Sequence, residues 1–322
     1  MLRLGKCGLA LLALAAFMPA ASAQDYPNRQ VKIIVPFGVG GPADVFARVL
    51  AQHLSDTTKQ SFIVEPRPGA GSVTGTDAAA KSPADGYTLL MMSNTHTINE
   101  TLLPNKPFQL MRDFVPVSPV NSSDLLLVVH PSVPAKTVKE LVDYAKANAG
   151  KMNYASSGPG TPYHMAGELF KAMSGTQIAH VPHKASGDAR TSIAGGHVQM
   201  MFDAITTMAE AAKAGTVRAL ASTGTKRSVV TPDLPTVSES GVPGYEMTIW
   251  LGVMAPKATP QPIVDKLNGE IRNVLARDDV KAAWAKQGAF PIDMSPAQFD
   301  AYLKKDIEKW ADVVKKTGAS VK

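Results

Sequence analysis

The chain has 322 residues, a formal net charge of +6, 45% apolar residues and a single cysteine. That length and apolar content can bury a sizeable core without disulfide staples. The positive surplus is mild and scattered, densest at Lys226 and Arg227 and in the C-terminal lysines, with no basic run interleaved with aromatics, so nucleic acid is excluded as an expected partner.

At the N-terminus, Arg3 and Lys6 precede an apolar stretch over 8–17, and Ala21, Ser22 and Ala23 supply a small-residue cleavage site. The pattern predicts a signal peptide over 1–23, removed near Ala23, and export to the periplasm. The apolar stretch is shorter than the roughly 20 residues a membrane span needs. Cys7 lies inside it, so the mature protein is expected to have neither disulfide nor thiol chemistry.

Residues 31–37 form a nearly continuous apolar run and read as a buried parallel strand. Apolar residues at Val45, Phe46, Val49, Leu50 and Leu54 then recur with helical spacing. A strand over 62–65, a glycine turn from Gly69, a helix over 73–80 and a strand over 87–92 continue the alternation. A second run follows: a strand over 125–129 and a helix over 138–149, for which Thr137 and Glu140 predict a capping box. After these come strands over 153–156, 177–181, 198–202 and 217–222, with helices over 163–173, 187–195 and 208–214 between them. Helices over 263–275, 280–287 and 296–316 close the chain. Phe299, Leu303, Ile307, Trp310 and Val314 form a packing stripe on the last, with Trp310 read as core. Two similar α/β halves predict a two-lobed α/β protein that closes on a ligand like a clamshell.

Two glycine loops are the leading site candidates. Between Phe37 and Asp44, residues Gly38, Gly40 and Gly41 can bring backbone N–H groups close to an anion at a helix start. Val39 and Ala43 sit in the same loop. Asp44 either braces the turn as a cap or meets a ligand ammonium. In the second loop, Ser156, Ser157 and Thr161 offer hydroxyls, Gly158 and Gly160 offer N–H groups, and His164 follows in the first helical turn. His164 either donates to a carboxylate or is hydrogen-bonded locally. Ser93, Asn94 and Thr95, and separately Asp203, follow strands directly and should reach the cleft; bracing of their loops is the alternative for each.

These residues carry a family resemblance. The segments 34–37 (Ile-Val-Pro-Phe), 40–44 (Gly-Gly-Pro-Ala-Asp), 67–71 (Arg-Pro-Gly-Ala-Gly), 83–89 (Pro-Ala-Asp-Gly-Tyr-Thr-Leu) and 154–160 (Tyr-Ala-Ser-Ser-Gly-Pro-Gly) with His164 are similar to those of the solute-binding proteins of the tripartite tricarboxylate transporter family. So are 195–203, 217–221, 232–236 and 241–245, and together they span the mature chain. The resemblance implies a periplasmic Venus-flytrap receptor, type II-like. It implies lobe 1 from 24–124 and 246–322, lobe 2 from 125–245, and a ligand carboxylate held by the two loops, partly through water. It further implies delivery of a small mono- or dicarboxylate to a permease of one large and one small subunit, or a sensing role in some members. The receptor is expected to be a monomer with no cofactor and no metal.

Several positions depart from the family pattern. Ala43 stands where a hydroxyl residue is common, Val39 is more apolar than usual, and Ser72 replaces a frequent glycine. His183 and Ala185 occupy places where tyrosine and glycine are more usual. Fewer small polar groups favour a ligand with an apolar or aromatic body and a terminal carboxylate. An exported hydrolase is the rival reading. Ser156, His164 and Asp203 could be drawn as a triad, but no G-x-S-x-G elbow is present. His164, His180 and His183 lack a zinc-ligand spacing.

Overall fold

The computed structural model describes residues 26–320; the signal segment expected over 1–23 lies outside the described residues. In chain order the strands are β1 (Val31–Val35), β2 (Phe62–Pro66), β3 (Thr88–Ser93), β4 (Phe114–Val129), β5 (Met152–Ser156), β6 (Ile178–Pro182), β7 (Met200–Ala204), β8 (Arg218–Ser222), β9 (Thr248–Pro256) and β10 (Ala289–Pro291). The helices are α1 (Pro42–Thr58), α2 (Val73–Ala80), α3 (Asn94–Leu102), α4 (Leu110–Asp113), α5 (Val138–Ala147), α6 (Pro162–Ser174), α7 (Ser186–Ala194), α8 (Ile205–Lys213), α9 (Gln261–Ala276), α10 (Asp278–Ala285) and α11 (Pro296–Thr317).

The strands run in the order β2-β1-β3-β9-β4-β7-β5-β6, with β10 and β8 also paired to β4. β1 pairs parallel with β2 and β3, and β5 pairs parallel with β6 and β7, as expected for buried strands fed by crossover helices. β3, β9 and β4 meet antiparallel. Apolar side chains project from both faces of each sheet. Ile33 and Val35 enter the core beneath α1, α9 and α10, while Ile34, Leu90 and Met92 pack with Trp250 and Phe299 on the other face. The second sheet is covered by α5 and α6 on one side and by α7 and α8 on the other. Each lobe is therefore a sheet between two helical layers.

The two sheets share one strand. The N-terminal half of β4 pairs with β9 and β10, and its C-terminal half with β7 and β8. Register shifts fall beside Pro116 and Pro119, where a strand can bend and a missing N–H is tolerated. The chain recrosses at Thr223. Its hydroxyl accepts from Leu125 N (2.8 Å) and donates to Met247 O (2.5 Å), and Met247 N donates back to Thr223 O (3.0 Å). Gly224 has no side chain to spare here, because a Cβ would lie 2.5 Å from Asp124 Oδ1. α11 makes a third link. Phe299 and Leu303 join the core of the first lobe, and Trp310 joins the core of the second.

Three local expectations are corrected. Residues 94–102 form α3 rather than a cleft loop, because Ser93 caps the segment and accepts from Thr95 N (3.1 Å). α8 begins at Ile205, a turn earlier than its apolar spacing indicates. Thr137 caps α5 as expected, but Glu140 Oε2 accepts from Lys136 N (2.7 Å), one residue before the cap.

Trp310 is 2% exposed. Trp310→Ala should cost about 3–5 kcal/mol of unfolding free energy in a urea titration. A loss within ~0.5 kcal/mol would show that α11 is not anchored in the second lobe.

Candidate functional site

The first glycine loop leads into α1, with Pro42 at the first helical position. Asp44 is buried. Its Oδ2 accepts from Gly40 N (3.0 Å), and its Oδ1 lies 2.9 Å from Arg48 Nη2. Asp44 thus braces the turn and is charge-paired with Arg48. The same contacts bear on Gly40 and Gly41. The Gly40 amide is held by Asp44, and the Gly41 amide points to Gly38 O (3.4 Å). A Cβ at Gly40 would meet open space, so its φ of +77° rather than close approach accounts for the glycine.

The donors this turn leaves are further along. The first helical bond runs from Val45 N to Gly41 O (3.0 Å), and the amides of Ala43 and Asp44 have no backbone partner among the described residues. Ala43 contributes only this amide, since its methyl is packed into the core. The Val39 side chain is 71% exposed and does not line a closed pocket. Phe37 packs edge-on to the buried His96 ring at 5.8 Å.

The second loop is more heavily cross-braced than its sequence indicates. Ser156 is fully buried, with Oγ 2.6 Å from His180 Nε2, donating to Gly158 O (3.2 Å) and accepting from Gly158 N (3.1 Å). Thr161 caps α6, accepting from His164 N (3.4 Å) and donating to Gly158 O (2.7 Å). The Gly160 amide donates to His164 Nδ1 (3.1 Å). Ser156, Thr161, the Gly160 amide and His164 thus have internal partners that brace this loop. The amides of Ser157 and Tyr163 have no backbone partner among the described residues.

His164 is buried and stacks on His180 with ring centroids 4.1 Å apart; His180 stacks in turn on Tyr154 at 4.8 Å. Burial lowers His164 to about 4 and His180 to about 3, the neighbouring imidazole adding to the effect at His180. Both rings are neutral at physiological pH, which suits His164 Nδ1 as an acceptor from Gly160.

Loop and helix from opposite lobes meet closely. A Cβ on Gly160 would lie 2.4 Å from Asn99 Oδ1, and one on Gly71 would lie 3.6 Å from Pro159 O. Gly69, Ala70, Gly71 and Ser72 all have positive φ, an unusual run containing two residues with side chains. Asn99 Nδ2 holds that run through Gly71 O (2.9 Å), and Thr76 Oγ1 binds Ser72 O (2.8 Å) and His96 Nε2 (2.9 Å). Ser72 Oγ, Thr95 Oγ1 and Asn99 Oδ1 are buried with no hydrogen-bond partner. Thr95 and Asn99 share a face of α3 at i and i+4. The sequence reading included Thr95 but missed Asn99, because 94–102 was not recognised as a helix. Ser93 Oγ serves as the α3 cap, accepting from Thr95 N.

A second opening between the lobes, about 170 Å³, is lined by Gly40 and Pro42 on one side and by Arg190, Thr206 and Thr207 on the other, with Ser123 at the crossover. Behind it, Asp203 is fully buried. It accepts from Arg190 Nε (2.5 Å), Arg190 Nη2 (3.2 Å) and Ala204 N (2.7 Å). Burial pushes its carboxyl above the ordinary value, and Arg190 opposes that shift. Asp203 is therefore held by internal partners, and Arg190 is the charged residue that lines the cavity. His183 is half-buried, with Nδ1 3.0 Å from Val181 O. Ser156, His164 and Asp203 do not assemble as a triad: Ser156 pairs with His180, and Asp203 with Arg190. No metal-holding cluster of His, Cys, Asp and Glu occurs among the described residues.

Residues 46–319 match the family described as "Tripartite tricarboxylate transporter family receptor". The chain is 39% identical to the protein BugT of Bordetella pertussis over 313 residues, covering 97% of this chain and 96% of BugT. Among solved structures, the R. palustris protein Rpa4515 with adipate superposes with a TM-score of 0.87 at 35% identity, covering 92% of this chain and 99% of that one. The periplasmic binding protein BugD gives 0.83 at 33% identity, covering 92% and 99%.

The lowered imidazole values carry a sign. A histidine with a depressed folded-state pKa contributes stability that is complete above the ordinary value of 6.5 and is lost as pH falls toward 4. Imidazole C–H resonances of His164 and His180 should show no titration between pH 8 and pH ~5. A midpoint near the ordinary ~6.5 for either ring would contradict the stacked, dry arrangement.

Proposed function

The chain belongs to the tripartite tricarboxylate transporter receptor family, whose members are periplasmic solute-binding proteins rather than enzymes, and from that premise we propose how it holds its ligand. The ligand is a small organic carboxylate with an apolar or aromatic body. It sits in the interlobe cleft and is released to a membrane permease of one large and one small subunit. Lobe 1 comprises 24–124 and 246–322 and lobe 2 comprises 125–245, with the C-terminal end of α11 lying against lobe 2. The receptor acts as a monomer after removal of 1–23.

One observation carries this reading. Polar groups without partners come from both halves of the chain, and the halves approach closely beside some of them: a Cβ on Gly160 would lie 2.4 Å from Asn99 Oδ1, and one on Gly71 3.6 Å from Pro159 O. The first-turn amides of Ala43 and Asp44 and the oxygens of Ser72, Thr95 and Asn99 come from one side, and the amides of Ser157 and Tyr163 from the other. Buried polar groups without partners are costly, at about 1–3 kcal/mol each, so a bound solute or ordered water is the natural complement. N–H groups at helix starts favour the carboxylate end, and exclusion of bulk water on closure strengthens those contacts. The remaining site residues act one step back. Asp44 and His164 fix the Gly40 and Gly160 backbone, Ser156 and Thr161 fix the turn between them, and Phe37 and His183 shape the walls.

A thermal-shift screen of mono-, di- and tricarboxylates tests the reading. A true ligand at 1,000 times its Kd should raise stability by about 4 kcal/mol. Absence of any shift at millimolar concentrations of these acids would contradict it. Gly160→Ala tests the seam. Both the φ of +72° and the 2.4 Å approach to Asn99 oppose the new methyl, so affinity for the best acid should fall by roughly tenfold or more, about 1.4 kcal/mol, in calorimetry. Unchanged affinity would separate closure of this seam from binding.

A further inference from the structure

Asp203 is enclosed by its own protein partners. Two oxygens offer about four lone-pair positions, and three donors hold them in place: Arg190 Nε, Arg190 Nη2 and Ala204 N. No part of the group is exposed. An ammonium from a ligand would find no room there.

Arg190 is placed differently. Its side chain is 27% exposed, and it is the one charged residue lining the interlobe cavity. Nε and Nη2 face Asp203, while Nη1 has no hydrogen-bond partner among the described residues. The guanidinium fork thus lies between the acid and the cavity that Arg190 lines. Thr206 and Thr207 line the same cavity, and no Asp or Glu does. The one charge on the cavity wall is positive, although a buried carboxylate is paired with it.

We infer that Arg190 is a specificity-determining residue: by occupying Asp203 and offering Nη1 to the cavity, it admits carboxylates and excludes ligands that carry an ammonium group. This inference rests on the receptor reading of the cleft. It narrows the ligand class to organic acids without an amine and gives an anionic or hydroxyl oxygen of the ligand a charged partner on the second lobe. A fixed guanidinium is suited to this, because it stays charged at every relevant pH and its planar donors match a carboxylate.

Matched pairs test it. Calorimetry would compare succinate with aspartate, adipate with 2-aminoadipate, and phenylacetate with phenylglycine, on the wild type and on three variants. Arg190→Gln alone leaves a buried, poorly paired carboxylate and is prone to misfold. The Arg190→Gln/Asp203→Asn double variant removes both charges, and Arg190→Lys keeps one. The wild type should prefer the acid over its amino counterpart by at least ~100-fold in one or more pairs. The double variant should fold, bind that acid at least ~10-fold more weakly, and lose at least ~10-fold of the preference. Arg190→Lys should retain more of the preference than the double variant. If the wild type binds the amino counterparts as well as the acids, Arg190 does not select. If the double variant keeps the full preference, the pair is only structural. Binding of none of the six compounds would instead contradict the carboxylate-receptor reading, and the inference would fall with it.

Discussion

The hydroxyl of Thr223 ties together the two places where the chain passes between lobes, bonding Leu125 on β4 and Met247 at the entry to β9. Everything else depends on that fixed pivot. Because β4 belongs to both sheets, neither lobe can shift relative to the other by sliding. The register of this shared strand is broken beside Pro116, Pro119 and Leu127, where a strand can bend. The same joint holds Asp124, which burial and the neighbouring Glu246 raise to about 6. Its raised value favours the protonated form in the folded state, so its contribution to stability is lost as pH rises through about 6.

Around the pivot, the site is built by bracing rather than by displaying charge. Asp44 is paired with Arg48, Glu168 with Lys171, and Asp203 with Arg190. His96, His164 and His180 are held neutral by burial. These groups orient backbone. Asp44 fixes the turn at Gly40, and His164 fixes the turn at Gly160. What this bracing leaves without partners is a sparse set of N–H groups and buried oxygens, with one guanidinium lining the interlobe cavity. Such fixed dipoles need little reorganisation when an anion arrives, which is the electrostatic advantage of a preformed receptor.

Much of this organisation was legible from the residues. Short apolar runs bounded by turn residues stand out, so β1, β2, β3 and β5 to β8 were recognisable within a residue or two, whether central and buried like β3 or at the sheet edge like β6. Helices with a continuous stripe, such as α9 and α11, were equally plain. The misses have physical causes. The first half of β4 contains Pro116 and Pro119, which signal breaks in a sequence, yet they sit at bulges that bend the strand. α3 begins Asn-Thr-His-Thr and lacks an apolar stripe, because its buried polar face meets the two glycine loops. The two loops do lead into α1 and α6 as their glycines indicate, but which of their atoms have internal partners is not visible in the sequence. Sequence spacing shows that Gly40 and Gly160 enter helices. It does not show that Asp44 and His164 turn back to take their amides. Arg190 was overlooked for a related reason: nothing local marks an arginine on α7 as the partner of an aspartate at the end of β7.

Amide hydrogen exchange with and without the acid that stabilises the protein most is the direct measurement of the central claim, that one solute bridges donors from both lobes. The amides of Ala43, Asp44, Ser157 and Tyr163 should all slow together on binding, by about 100-fold or more if closure excludes solvent. Protection confined to one lobe, or absent from these amides while the acid is bound, would contradict it.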